Sequence, residues 1–171
     1  MNKRPIIKLK LNTTDIIIEA ASWLAMGLLW IVIIYFFNIL PNTIPVHFNA
    51  IGIADRYGDK SELFSLPIIA TMIFFGITVL NKFPHIFNYL VEITPENALT
   101  QYQSATRMLR ILKFVVLLIF ITITLLTINV SVKKEKEINP WFTPILIGIL
   151  FTITAFYILK SIKKQRTYPK T

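Results

Sequence analysis

Long apolar runs without a charged residue alternate with polar segments along the chain. Each run has 18 or 19 residues, and the four are Ala20–Phe37, Leu63–Leu80, Phe114–Val132 and Trp141–Leu159. At a rise of about 1.5 Å per residue, a helix formed by each run is about as long as the hydrocarbon core of a bilayer is thick, about 30 Å. A helix is required because an isolated strand would leave its backbone groups unpaired in lipid. A soluble bundle is the alternative, but these runs lack the polar face that a soluble helix shows.

Composition supports the membrane interpretation. Of 171 residues, 54% are apolar and 16% are charged, whereas soluble domains have about 45–50% and about 25%. The chain has no cysteine, which excludes a disulfide framework, a zinc–thiolate site and a cysteine nucleophile. The prediction is an all-α membrane protein with four transmembrane helices.

Lysine and arginine are unequally divided between the two sides of such a bundle. The N-terminal tail, the second connection and the C-terminal tail hold 13 of these residues, and the first and third connections hold five. By the positive-inside rule, both termini are predicted to be cytoplasmic. The chain has a net charge of +9, and we expect its basic residues to contact anionic headgroups. The lipid bilayer is therefore the expected partner. No basic run is interleaved with stacking aromatics, so nucleic acid is not a predicted partner.

The first connection is the most informative segment. The first two helices are predicted at about residues 15–39 and 63–81, which leaves an outer loop at 40–62. Pro41 and Pro45 prevent a helix there, and Gly52 and Gly58 mark turns. We therefore predict a short, hairpin-like extracytoplasmic loop between helices 1 and 2.

The second connection, residues 82–113, is predicted to be cytoplasmic. Thr94 at the N-cap and Pro95 at the first helical position indicate a helix that leads into the third span without a break. Gln101, Arg107 and Arg110 fall on its polar face. We expect this surface to contact a cytoplasmic protein partner through Asn88, Tyr89, Glu96, Asn97 and Tyr102.

The outer loop also holds most of the titratable groups that could act together. These are His47, Asp55, Asp59 and Glu62, with Asn49 as an amide partner. Three interpretations remain open: the polar residues organise the loop, they bind a peptide or other ligand, or His47, Asp55 and Asp59 hold a metal ion or perform acid–base chemistry. The spacing matches no metal motif, and no cofactor motif is present.

The first connection resembles a known family in ten positions over 21 residues: Leu40, Pro41, Ile44, Pro45, His47, Phe48, Asn49, Gly52, Asp55 and Lys60. The resemblance is to the SdpI-like family of bacterial integral membrane proteins, domain-of-unknown-function family 1648. It covers about Asp15 to Lys113, so we predict an SdpI-like domain at 1–113, followed at 114–171 by a C-terminal helical pair and a basic tail.

The resemblance implies a multi-pass protein of the bacterial plasma membrane. The family's namesake gives immunity to a secreted toxic peptide and sequesters a transcriptional repressor at the membrane. We therefore expect a binding or signalling protein, not an enzyme, whose ligand site in the outer loop comprises His47, Asn49, Gly52, Asp55 and Lys60. The alternatives are a membrane-embedded metal-dependent enzyme and an accessory subunit of a transporter complex. The sequence contains no signal for an oligomeric state.

Overall fold

The computed structural model describes residues 4–133 and 137–165, and these residues form four long helices and one β-hairpin. The helices are α1 (Thr13–Phe37), α2 (Ser65–Leu80), α3 (Ala98–Lys133) and α4 (Phe142–Gln165). The hairpin strands are β1 (Thr43–Phe48) and β2 (Ala54–Asp59), and short 3-10 turns lie at Lys60–Phe64 and Pro84–Ile86. Four helical segments are long and apolar enough to cross a membrane, as the apolar runs predict, when the 3-10 turn at Lys60–Phe64 is counted together with α2.

Local sequence signals explain where α1 begins and ends. The Asn12 side chain accepts a hydrogen bond from the Asp15 backbone N–H at 2.9 Å, and the Asp15 side chain accepts one from the Asn12 N–H at 3.2 Å. This reciprocal capping box satisfies N–H groups that have no partner within the helix. The helix ends at Phe37, before Pro41, two residues earlier than predicted.

The long helix α3 is central to the bundle. It runs for 36 residues, about 54 Å, without a break and packs against α1, α2 and α4. Its continuity confirms that the helix of the second connection leads directly into the third span. The regular helix begins at Ala98, after a turn at residues 95–97. The Ala98 N–H donates to the Thr94 carbonyl at 2.9 Å and the Asn97 side chain accepts from the Thr94 N–H at 3.0 Å, so Thr94 and Asn97 cap this end.

The hydrophobic core lies between α1, α2 and α3 and extends under the hairpin. Leu29, Phe74 and Leu117 are buried at its centre. Ile44 of β1 belongs to the same cluster, as does Leu63 at the entry to α2. The hairpin is therefore anchored to the helices by apolar contacts.

We call the end of the bundle that carries the hairpin the hairpin end. The opposite end, where α1 and α3 begin and α2 and α4 finish, is the tail end. The predicted domain boundary at residue 113 falls within α3, where the helix has no break, so this division stays a prediction based on the resemblance. Lys3, Lys134 and Lys136 and the predicted basic tail from Arg166 onward lie outside the described residues.

Candidate functional site

The turn of the hairpin is organised by Asn49 and Gly52. The Asn49 side-chain oxygen accepts hydrogen bonds from the backbone N–H groups of Ile51 at 3.1 Å and Ile53 at 3.0 Å. Gly52 has a φ of 85°, a left-handed conformation that disfavours a side chain. A Cβ atom there would also collide with the carbonyl oxygen of Ile138. Both residues are thus explained by the folding of the loop.

His47 and Asp55 form an exposed pair beside this turn. The His47 Nδ1 lies 2.5 Å from the Asp55 Oδ1, and the two side chains are 59% and 42% exposed. The strand register shifts on both sides of His47, and such β-bulges re-aim side chains. These are the two predicted ligand-binding residues whose polar groups face solvent.

Lys60 and Asp59 lie at the opposite end of the strands. The Lys60 backbone N–H donates to the Asn42 carbonyl at 2.9 Å, and its Nζ lies 4.9 Å from the centre of the Phe37 ring. Asp59 caps the following turn by accepting from the Ser61 N–H at 2.8 Å. Hydrogen bonds from Ser61 lower the pKa of the Asp59 carboxyl. Lys60 therefore ties the hairpin to the end of α1 and does not join His47 and Asp55.

The three residues predicted as possible metal ligands, His47, Asp55 and Asp59, do not form one site. Asp59 pairs with Thr43 in the strand register, whereas His47 pairs with Arg56, so Asp59 and His47 lie about 13 Å apart along the hairpin. Within residues 4–133 and 137–165, no three His, Cys, Asp or Glu side chains are grouped closely enough to hold a metal ion.

A cleft of about 260 Å³ lies between the hairpin and the helices. One wall is formed by β1, including His47, and by Arg56 of β2. The other walls come from Ser65 of α2, Thr127 of α3 and the beginning of α4. Arg56 also lies 3.9 Å from Glu62, in an exposed ion pair at the rim. The cleft therefore offers charged groups at its rim and an apolar floor.

The predicted cytoplasmic partner surface is partly buried in the structure. Asn97 and Tyr102 are 2% and 0% exposed, and the Tyr102 hydroxyl donates to the Pro5 carbonyl at 3.1 Å. The Tyr89 hydroxyl donates to the Pro84 carbonyl at 3.0 Å, and burial raises the pKa of that phenol. Of the five predicted residues, Asn88 and Glu96 are exposed, and Asn88 and Tyr89 line a cavity described below.

An ionic cluster between α1 and α3 was missed by sequence reasoning. It consists of Asp15, Glu19, Arg107, Arg110 and Lys113. Arg107 binds Asp15 through two nitrogens at 2.8 and 3.2 Å. Glu19 accepts from Arg110 Nε at 3.1 Å and from Lys113 Nζ at 2.6 Å.

Polar residues of α3 make contacts within the bundle. Gln101, Arg110 and Lys113 are buried, because the basic side chains pair with α1 and Gln101 hydrogen-bonds Ser161 of α4. These buried side chains therefore hold helices together, and the cytoplasmic partner stays a prediction. The sequence did contain a signal for this cluster, because α1 and α3 begin at the same end of the bundle and each carries its charges just before its apolar run.

Comparison with known proteins gives limited matches. Residues 24–71 match the family model described as Domain of unknown function (DUF1648). An uncharacterized protein of Archaeoglobus fulgidus is 34% identical over 73 residues, which cover 38% of this chain and 40% of that relative. No solved structure matches the chain. The matched region contains the hairpin and most of α1, and with the long apolar helices it indicates a small integral membrane protein.

Proposed function

We propose that this protein is an SdpI-like binding protein of the bacterial plasma membrane, which recognises an extracytoplasmic peptide at the cleft under the hairpin. The observation that supports this function is the position of the exposed His47–Asp55 pair beside a cleft with an apolar floor. A peptide segment presents both polar backbone groups and apolar side chains, and this lining suits both.

The size of the cleft also favours a peptide over a cofactor. Pockets for small molecules have volumes of about 300–1,000 Å³, and the cleft is smaller, at about 260 Å³. It suits one or two side chains of a longer chain whose remainder lies outside. The exposed strand β2 next to the cleft is a surface on which an extended peptide could add by main-chain hydrogen bonds.

The proposed side of the membrane follows from the distribution of basic residues. The chain lacks cysteine, so single cysteines can report sidedness in intact cells. Tyr57→Cys on the exposed face of β2 should react with a membrane-impermeant maleimide before lysis. Lys82→Cys at the tail end should react only after lysis. The reverse pattern would place the hairpin in the cytoplasm and refute the proposal.

Binding is tested by filling the cleft. Ser65 lines it and is exposed, so Ser65→Phe should block the cleft with little effect on folding. Cells that express the protein are exposed to culture supernatant from a bacterium that secretes membrane-active peptides, and survival is compared with Ser65→Phe and His47→Ala. The matched control is Thr152→Phe, at an exposed position of α4 that lies nine residues beyond the cleft-lining Thr143. We expect protection by the wild type and control only; equal survival with both cleft variants at equal expression would refute the role.

A further inference from the structure

A second cavity, of about 580 Å³, lies at the tail end of the bundle. We call it the tail-end cavity. Its walls come from the segment after α2 and from α3 and α4, and its main apolar contributors are Leu80, Ile86, Leu90, Met108, Leu109 and Ile158. Its volume falls within the range of about 300–1,000 Å³ that holds small ligands. The cavity is separate from the hairpin cleft, which lies at the other end of the same helices.

The polar groups of this cavity come from Asn88 and Tyr89 in the segment after α2 and from residues of α3 and α4. The Ser104 hydroxyl lines the cavity and is buried without a hydrogen-bond partner among the described residues. A buried hydroxyl of this kind is usually satisfied by protein, water or ligand. Nearby, Ser161 and Gln101 bind each other, with the Ser161 hydroxyl donating to the Gln101 side-chain oxygen at 2.7 Å. A ligand in this cavity would therefore be largely apolar and have a polar part.

Two cationic side chains lie against residues that line the cavity. Arg4 donates to the carbonyl of Phe87 at 2.6 Å and lies 5.5 Å from the centre of the Tyr89 ring. The Lys160 Nζ lies 5.6 Å from the centre of the Tyr157 ring. Neither cation has a carboxylate within ion-pair distance among the described residues. Arg4 and Lys160 therefore bring positive charge next to the lining of the cavity, which is complementary to an amphipathic anion.

The level of the cavity along the bundle identifies the source of such an anion. The lining part of α3, at residues 101–109, precedes the apolar run that begins at Phe114, and Leu80 and Ile158 lie at or near the ends of their own runs. In a bundle that crosses a bilayer, these positions lie near the boundary between acyl chains and headgroups. Basic pockets at this level bind the headgroups of anionic lipids.

We infer that the tail-end cavity binds an anionic phospholipid, with part of an acyl chain in the cavity and the headgroup attracted by the two cations beside the lining, Arg4 and Lys160. This inference is independent of the peptide-binding function proposed above.

Native mass spectrometry of the purified protein in detergent tests the inference, with phosphatidylglycerol and phosphatidylcholine as matched anionic and zwitterionic probes. Wild-type protein should retain phosphatidylglycerol at lower lipid concentration than phosphatidylcholine. At about 1 kcal/mol for each basic residue, Arg4→Gln and Lys160→Gln should each weaken phosphatidylglycerol binding about fivefold. Lys82→Gln, which removes an equal charge from an exposed position at the same end, should leave binding unchanged.

The acyl-chain part of the inference needs a variant that fills the cavity. Ala105 lines the cavity, so Ala105→Trp should reduce retention of both lipids, whereas Thr122→Trp on the exposed face of α3 should not. If Ala105→Trp fails to fold, as judged by thermal unfolding, Ala105→Leu replaces it. Three results would overturn the inference. They are equal retention of the two lipids by the wild type, equal retention of phosphatidylglycerol by Lys82→Gln and Arg4→Gln, and unchanged lipid retention in the variant that fills the cavity.

Discussion

Removal of the Glu19 charge should strongly destabilise the protein. Glu19 accepts from both Arg110 and Lys113, whose side chains are 7% and 0% exposed. Glu19→Gln leaves two buried cations without an acid. Breaking a buried pair by removing one partner costs about 3–5 kcal/mol, which corresponds to a fall in Tm of about 6–20 °C for a domain of this size.

Removal of the Lys113 charge should destabilise the protein less than removal of the Glu19 charge. This asymmetry makes the prediction specific. Lys113→Met leaves Arg110 and Glu19 as a balanced pair, and its apolar side chain still packs on Phe74, whose ring centre lies 4.5 Å from the Lys113 Nζ. We expect less than half the loss caused by Glu19→Gln, although Thr78 loses its 3.0 Å contact with the ammonium.

Thermal unfolding in one detergent, followed by circular dichroism, measures both effects. Glu62→Gln is the matched control, because Glu62 pairs with Arg56 at the exposed rim of the cleft, where an ion pair contributes about 0–1 kcal/mol. If Glu19→Gln and Glu62→Gln shift Tm equally, or if Lys113→Met is the more damaging variant, the assignment of the ionic cluster as a clamp between α1 and α3 is refuted.

Three further predictions concern the hairpin. Gly52→Ala should destabilise the hairpin by about 1–3 kcal/mol because φ at this residue is 85°, and hydrogen exchange should then accelerate at the Ile138 amide that donates to the Gly52 carbonyl. Asn49→Ala should lose two hydrogen bonds of about 0.5–1.5 kcal/mol each, so limited proteolysis of the turn should be faster than in Asn49→Asp, which keeps the acceptor. The pKa of the Asp59 carboxyl is lowered from its usual value near 3.8, so its hydrogen bonds from Ser61 stabilise the fold above pH 3.8 and are lost as the pH falls through the lowered pKa. The Tm advantage of the wild type over Asp59→Asn should therefore shrink as the pH falls. A constant Tm difference across pH 2–6 would contradict this prediction.

The long helices and the turn chemistry were predictable because their causes are local. An apolar run of 18 residues, a capping residue such as Asn12, and a glycine at a turn act over a few neighbouring positions. The hairpin strands formed where two prolines and two glycines excluded helix. The regular part of α3 starts at Ala98, three residues after the predicted first helical position, and Asn97 helps to cap that end.

The ionic cluster was harder to predict because its partners are more than 90 positions apart in the chain. The spacing of Asp15 and Glu19 shows that they share one face of a helix, but it does not show which helix faces them. Likewise, the sequence placed His47, Asp55 and Lys60 in one loop, and only the strand register separates Lys60 from the other two. Contacts of this kind depend on the packing of whole elements.

The ionic cluster also changes the explanation of the net charge. The basic residues are expected from the sequence to contact anionic headgroups, yet Arg107, Arg110 and Lys113 pair with acids of α1. The prediction of sidedness is unaffected, because the positive-inside rule counts lysine and arginine and is not a rule of net charge. We therefore expect headgroup contact from cations that have no carboxylate partner within residues 4–133 and 137–165, such as Arg4 and Lys160. Anionic lipid should therefore bind beside the tail-end cavity and not at the cluster, whose cations already have partners.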